Sequence, residues 1–411
     1  MSSFVIGNVH VFDGVASQPW RSVRVQDGLI VEIGDDIAPG DGQYVDGGGG
    51  TLMPGWIDSH VHVFDGDLAQ ALMFGVTTVM DLFCDPDRMA RYRKDVAERM
   101  DIAHFFSAGV GATAPGGHPS QMVDAGVYQP FPTVATPEDA EEFIDDRIRQ
   151  GSDYIKIFFE DGFCMGGTDM PMLRADAAAA LVAAARARGL KTLAHATTLE
   201  GATRAVDAGV TGLAHVFVDY VPEPSFIEQI VSKGIFVMPT FTPLDWVCGA
   251  RQRDEYLAET DSLRYLDKAH RQKLDAMADN HIHDDRDAIQ PSIDVAVEVT
   301  QMLRKAGVPL LVGTDAGALG PQGMSVHREL QRLVDAGLTP IEALAAATSV
   351  PAKQFELADR GVIATGRRAD LVLVDGDPTV DIAAVKHVRE VWRDGVRLDR
   401  DTFTTERKEE S

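Results

Sequence analysis

Eight short apolar runs through the middle of the chain, most of them ending at or near a polar residue, restrict its fold more than any other feature. They are GWIDSHV (55–61), GVTTVMDL (75–82), AHFFSAGV (103–110), DYIKIFF (153–159), KTLAHA (191–196), GLAHV (212–216), GIFVMPT (234–240) and VPLLVGTD (308–315). Runs this short and apolar suit strands covered on both faces, which occur in parallel sheets. Helical patterns lie between several of them, as at 171–188 (PMLRADAAAALVAAARAR) and 199–208. Eight buried strands with intervening helices predict an α/β fold, a (β/α)8 TIM barrel, whose reactive side chains come from the C-terminal strand ends.

The two chain ends have a different texture. FVIGNVHVFDG, SVRVQDGLIVEIGDD and QYVDGGGGTLMPG near the start, and GVIATGRRADLVLVDGDP near the finish, alternate in short bursts punctuated by Gly and Asp. This pattern predicts antiparallel β structure. Each end is too small to bury a core alone, so residues 1–52 and 361–411 are expected to form one composite β-sandwich, leaving 53–360 for the barrel. Residues 245–305 are long for a strand-to-strand connection and read as a charged helical insertion of the kind that covers a pocket.

Composition excludes several partners. Asp and Glu number 63 against 38 Lys and Arg, a formal charge of −25 that repels nucleic acid and anionic membranes. No run of 18 uncharged apolar residues and no basic-then-apolar leader is present in the sequence, so the expectation is a soluble, cytoplasmic protein. Its expected partners are a small-molecule substrate and further copies of itself in a homo-oligomer. Cys84, Cys164 and Cys248 are odd in number and far apart, which fits neither a disulfide framework nor a CxxC metal site.

The chemistry lies at the strand ends. His60 and His62 are two apart on the first run, so in a strand their rings share a face about 7 Å apart. Lys156, His195, His215 and Asp315 end or nearly end later runs. A lone histidine in such a place is more often a hydrogen-bonded core residue; four histidines, a lysine and an aspartate on one rim point to a metal centre. Histidine and carboxylate donors suit zinc or a similar divalent ion, which can bring the pKa of bound water to about 7. A lysine buried beside cations is expected to be neutral, and a neutral amine can add carbon dioxide to give a carbamate whose two oxygens could bridge two metals. The plainer alternative is a buried ion pair with an acidic neighbour.

Taken together, GWIDSHVH, the lysine strand, LAHAT, LAHVF, GTDAG and the β-rich ends resemble the metal-dependent amidohydrolase superfamily, in its prolidase-like or imidazolonepropionase-related branch. The resemblance implies that His60, His62 and Asp315 bind a buried zinc ion, that His195 and His215 bind a more exposed one, and that carboxylated Lys156 bridges them. It further implies that Asp315 is the general base and acid. His118, in APGGHPSQ, resembles the glycine-glycine-histidine loop that contacts a substrate carbonyl or oxyanion, although Pro119 stands where many relatives have glycine. Tyr220 is a candidate at the pocket mouth, Arg174 and Arg328 are candidates for a substrate carboxylate, and His327 is placed in a loop where it is either structural or pocket-lining.

The implied reaction is hydrolysis of an amide-type C–N bond in a dipeptide, an N-acyl amino acid, or a related amide, urea or carbamate. Alternatives are a cyclic amide hydrolase or heterocycle deaminase, and a lactone or ester hydrolase on the same site. Lys156 argues against the deaminases, which by the resemblance lack it. From a different class, a metal-free structural relative would have lost ligands, whereas all six positions are filled here. HIH at 281–283 repeats the opening spacing without an apolar strand behind it and reads as solvated. His10, His104 and His387 read as structural. GVGATA at 109–114 fits a dinucleotide fingerprint only if it opens a helix, and PGGHP follows instead.

Overall fold

A computed structural model describes residues 3–165, 169–248, 252–276, 291–317 and 319–401. The HIH triplet at 281–283 lies outside the described residues, as do parts of the 245–305 insertion and the last ten residues of the C-terminal segment. No helix among the described residues is long and apolar enough to cross a membrane.

Seven of the eight apolar runs form strands: Trp56–Val61, Val76–Asp81, His104–Ser107, Ile155–Phe158, Thr192–His195, Gly212–Ala214 and Phe236–Met238. Each pairs in parallel with its neighbour in chain order within one three-stranded and one four-stranded sheet. The two sheets meet where Ala112 N donates to Lys156 O at 2.8 Å and Phe158 N donates to Ala112 O at 2.9 Å. Residues 109–114 therefore continue along the lysine strand and open no helix, which removes the nucleotide reading.

The eighth run differs from the expectation of a regular strand over 308–315. It makes isolated parallel bridges, Leu310 to Val237 and Ala316 to Val61. The cause is local: Thr314 N and Asp315 N both converge on His60 O, at 3.0 and 2.7 Å, while Asp58 Oδ1 also accepts from Thr314 N at 3.1 Å. Two successive amides aimed at one carbonyl cannot continue an even parallel ladder. Asp315 takes φ +53°, in the left-handed region, so its side chain is aimed by a kink in place of strand alternation.

The helices follow from their sequences. Ala175–Ala187 buries Ala177, Ala178, Leu181, Val182, Ala184 and Ala185, one apolar face repeating every three to four residues. Leu199–Ala208 starts where the Thr198 hydroxyl accepts from Gly201 N and stops at Gly209, whose φ of +84° closes the last turn. Within 245–305 the described helices are Gln252–Ala258, Thr260–Leu263, Lys268–Ala276 and Ile293–Lys305. Lys268–Ala276 docks on Asp67–Met73, the helix that follows the first strand: His270 lies between Asp67 and Asp267, at 2.8 Å from each.

Both chain ends contribute to one six-stranded sheet, in which Leu371–Val374 pairs antiparallel with Thr51–Pro54. A four-stranded sheet built from Ser3–Gly7, Ser22–Gln26, Leu29–Gly34 and Gln43–Asp46 shares a core with it through Phe4, Ile6, Val23, Leu52, Leu371 and Trp392. The architecture is a TIM-barrel catalytic domain with an extra β domain. Thr51–Pro54 runs through Gly55 straight into Trp56–Val61, so the β domain anchors the strand that carries His60 and His62. Beneath the barrel, His104 sits among Asp370, Asp394, Arg368 and Arg393, with Arg368 2.7 Å from its Nε2 and Arg393 3.2 Å from its Nδ1. With guanidinium groups against both ring nitrogens this cluster is a buried ionic joint, unsuited to a cation.

Candidate metal centre

The strand ends bring His60, His62, Lys156, His195, His215 and Asp315 together. Asp315 Oδ1 lies 2.9 Å from His62 Nε2 and 3.3 Å from His60 Nε2. The candidate ligand atoms of His60, His215 and Asp315 all fall within 4.8 Å of one another. The His60 ring is centred 5.6 Å from His62 and 4.9 Å from His215, and His195 is 4.8 Å from His215.

Lys156 Nζ and His60 Nδ1 are buried polar atoms with no hydrogen-bond partner, and Asp315 Oδ1 is buried with imidazole nitrogens as its near neighbours. Buried polar groups left unpaired are costly, and a cluster of them at ligand spacing is what a divalent ion would satisfy.

The hydrogen bonds around the rings fix which nitrogens face inward. The Thr240 hydroxyl donates to Pro239 O at 2.7 Å, so it accepts from His215 Nδ1 and leaves Nε2 of that ring with its lone pair. Glu160 Oε2 accepts from His195 Nε2 at 3.1 Å, which leaves the lone pair on His195 Nδ1. These two acceptor nitrogens are 3.2 Å apart. Such outer contacts are how proteins orient imidazole ligands.

Burial, followed by Lys156, holds the His60 and His195 imidazoles well below their ordinary pKa, and burial followed by His195 does the same for His215. Burial brings the Lys156 ammonium down to about 7, although Asp315 and Asp81 oppose it, and the side chain is 1% exposed. Burial raises the Asp315 carboxyl, but His62, His215 and Lys156 overcome it and hold the group below the usual carboxylate value.

His118 joins the cluster, its ring centred 5.0 Å from His195, and burial brings its pKa to about 3. Gln121 Nε2 donates to His118 Nδ1 at 2.7 Å, so the neutral ring offers Nε2–H as a donor.

Other candidates are not brought to the cluster. His327 belongs to the helix Met324–Asp335 and not to a loop; its Nε2 donates to Phe74 O at 3.1 Å, and it packs on Trp56, at the opposite end of the strand from His60. Arg174 is exposed and paired with Asp176 at 2.6 Å. Arg328 is buried but committed to Asp245, at 3.0 Å, and to Glu255. Tyr220 is 50% exposed and lines a surface groove with Asp161, Thr198 and Asp219.

Sequence reasoning missed several supporting residues. Asp58 is in the same register as His60 and His62, accepts from Thr314 N and Oγ1, and is raised to about 7 by burial. Asp81 accepts from Val63 N at 3.0 Å and Ser107 Oγ at 2.6 Å. Tyr128 OH is 3.4 Å from His62 Nδ1. Asp58, Asp81, Glu160 and Thr240 are polar residues in or just after apolar runs, the same signal that marked the histidines.

Nitrogen and oxygen donors converging on the C-terminal face of a barrel suit a divalent metal ion at the place where barrel enzymes carry their active sites. The chain belongs to the amidohydrolase family, whose profile matches residues 51–398, and it is a metal-dependent hydrolase of amide-type C–N bonds. It is 26% identical over 400 residues to an ochratoxinase from Aspergillus niger, covering 84% of this chain and 75% of that protein. It is 25% identical over 423 residues to an imidazolonepropionase from Streptomyces griseus, covering 91% and 93%. Among solved structures, a putative prolidase from Bifidobacterium longum superposes with a TM-score of 0.75 at 23% identity, covering 99% of each chain.

Proposed function

We propose that the protein holds two zinc ions and hydrolyses an acyclic amide-type bond in a dipeptide, an N-acyl amino acid, or a related amide, urea or carbamate. The observation that carries this reading is the convergence of four imidazoles and Asp315 around the unpaired Lys156 Nζ. In this reading His60, His62 and Asp315 would hold an inner ion, His195 and His215 would hold an outer one, and Lys156, as a carbamate, would supply oxygen donors to the pair. The amine forms a bond to the carbon of carbon dioxide and releases a proton, which a neutral Lys156 permits near pH 7. Ions bound there supply Lewis acidity and activate water.

The chain's own residues do the rest. Asp315 Oδ1 takes the proton of the attacking water and returns it to the leaving nitrogen. His118 Nε2–H is the donor toward the developing oxyanion, and its low pKa keeps it neutral without making it an acid. Tyr220 would meet only the outer part of a long substrate, and the present partners of Arg174, Arg328 and His327 support structural roles for them.

The ring of strands closes through residues 310–316, and the domain limits remain 1–52 with 361–411 around 53–360. The protein acts on small molecules in the cytoplasm as a homo-oligomer. The similarity to an imidazolonepropionase favours one second reading, hydrolysis of a cyclic amide on the same residues. A panel of L- and D-dipeptides, N-acyl amino acids, carbamates, ureas and cyclic amides tested on zinc-loaded protein decides between them. Turnover confined to the cyclic compounds would refute the acyclic reading, and less than about one divalent ion per purified chain would refute the metal centre.

A further inference from the structure

Glu160 follows the lysine strand, is 2% exposed, and spends both oxygens on its neighbours. Its Oε1 accepts from Gly162 N at 2.8 Å. Its Oε2 accepts from the Thr197 hydroxyl and, at 3.1 Å, from His195 Nε2. Glu160 lies two residues beyond Ile155–Phe158, and Thr197 two residues beyond Thr192–His195, so adjacent strand ends deliver acceptor, ring and hydroxyl to one spot. Three donors from the chain occupy most of the acceptor capacity of its two oxygens, and at 2% exposure the carboxylate is turned toward these neighbours and away from open solvent.

We propose that Glu160 is a positioning residue that holds His195 in its Nε2–H tautomer and aims the Nδ1 lone pair at the outer metal position. The neutral imidazole has one N–H. An acceptor fixed at Nε2 draws the proton to that side, and Nδ1 is left facing His215 Nε2 at 3.2 Å. Without Glu160 the ring can carry its proton on either nitrogen or turn over, and one of the two outer donors is lost for part of the population. Thr197 supports the arrangement by holding Glu160 Oε2 beside the ring. The assignment rests on the two-ion reading for its consequence, but the tautomer itself is a property of the metal-free chain.

The test is therefore made in two parts. Long-range proton–nitrogen correlation NMR on metal-free, nitrogen-15-labelled protein, with His195 assigned by its loss in His195→Gln, reads the tautomer directly. Wild type is expected to show Nε2–H, Glu160→Ala a mixture, and Glu160→Gln, whose amide oxygen still accepts, a return toward Nε2–H. An Nδ1–H signal in wild type overturns the proposal, and this measurement needs no variant at position 160 to fold. Titration with zinc is expected to show two ions in wild type and a loss of about 10- to 100-fold in affinity for the second ion in Glu160→Ala, with the first ion unaffected. Unchanged second-ion affinity overturns the proposal. A wild-type chain that takes up no zinc contradicts the two-ion reading alone, because the tautomer spectrum still decides the role of Glu160.

Discussion

His195 Nδ1 and His215 Nε2 face each other across 3.2 Å while the other nitrogen of each ring donates outward, to Glu160 and Thr240. Two lone pairs at that range repel unless a cation comes between them. Burial blocks the cheapest relief, protonation, because it holds both rings well below their ordinary pKa.

Metal removal should therefore cost stability. An ion that binds the folded chain at a free concentration about 1,000-fold above its dissociation constant contributes about 4 kcal/mol. Scanning calorimetry with and without chelator should show a lower Tm for the stripped protein and recovery on adding zinc. Equal transitions in both samples would contradict a metal centre at this position.

Asp315→Asn keeps the size of the side chain and removes its basicity. The variant should fold, since Asp315 N still bonds to His60 O at 2.7 Å. Turnover should fall by about 10²- to 10⁴-fold, the usual size of a general acid–base contribution. Circular dichroism and initial rates check both parts, and substantial residual turnover would remove Asp315 from the proton-transfer role.

Lys156→Ala should lower metal content, and a short carboxylic acid in the buffer should restore part of it by supplying the two missing oxygens. The measurement is metal per chain, with and without added propionate. If Lys156 served only as a buried cation for Asp315, the acid would restore nothing.

Much of the site was legible because its residues sit where apolar runs end, and an apolar run places its last residue without help from the rest of the chain. His60, His62, Lys156, His195 and His215 are found this way. Asp315 is found by the same signal but aimed by a different device, the left-handed kink at φ +53°, which strand periodicity does not encode. Glu160, Asp58 and Thr240 carry the signal too, yet their roles depend on which ring nitrogen each meets, and that is set by contacts between strands. His327, read as a loop residue that is either structural or pocket-lining, lies in a helix, and with Trp56 and Phe74 around it the ring fills space behind the first strand; which side of a helix it faces is set by that packing and not by the local sequence. The β domain was legible as texture at each end, whereas the pairing of Leu371–Val374 with Thr51–Pro54 is a long-range contact that texture alone only suggests.

The joint between the insertion and the barrel should be pH-dependent. His270 is buried between Asp67 and Asp267; burial opposes its charge, but the two carboxylates raise its pKa above 6.5, and Lys273, 3.8 Å from Asp67, is a further charge facing the pair. Because the folded value is the higher one, the stabilisation is fully present below the unfolded pKa of about 6.5 and is lost as pH rises through the folded value. His270→Gln should destabilise by about 3 kcal/mol at pH 6, the cost of breaking a buried pair, and by less at pH 9. Urea denaturation of both proteins at the two pH values, with zinc present, tests this; a gap that stays constant or widens with pH would show that the charge of His270 contributes nothing.

Two separate demands fall on Gly317, which follows the eighth apolar run. Its φ is +95°, and a Cβ built there would lie 1.9 Å from His62 O, a backbone atom with no rotamer by which to move aside. Gly366 shares the first demand, with φ +84°, but a Cβ there meets nothing within 4 Å. Gly366→Ala should therefore cost only the left-handed backbone strain, about 1 kcal/mol. Gly317→Ala should cost about 1–3 kcal/mol more, because His62 or the 315–317 kink must shift to admit the methyl group. The shift falls on the segments that hold His62 and Asp315, so only Gly317→Ala should also lower metal content. Denaturation midpoints and metal per chain for the two variants separate the effects; equal losses in both would mean that the close approach of Gly317 to His62 does not set the geometry of the site.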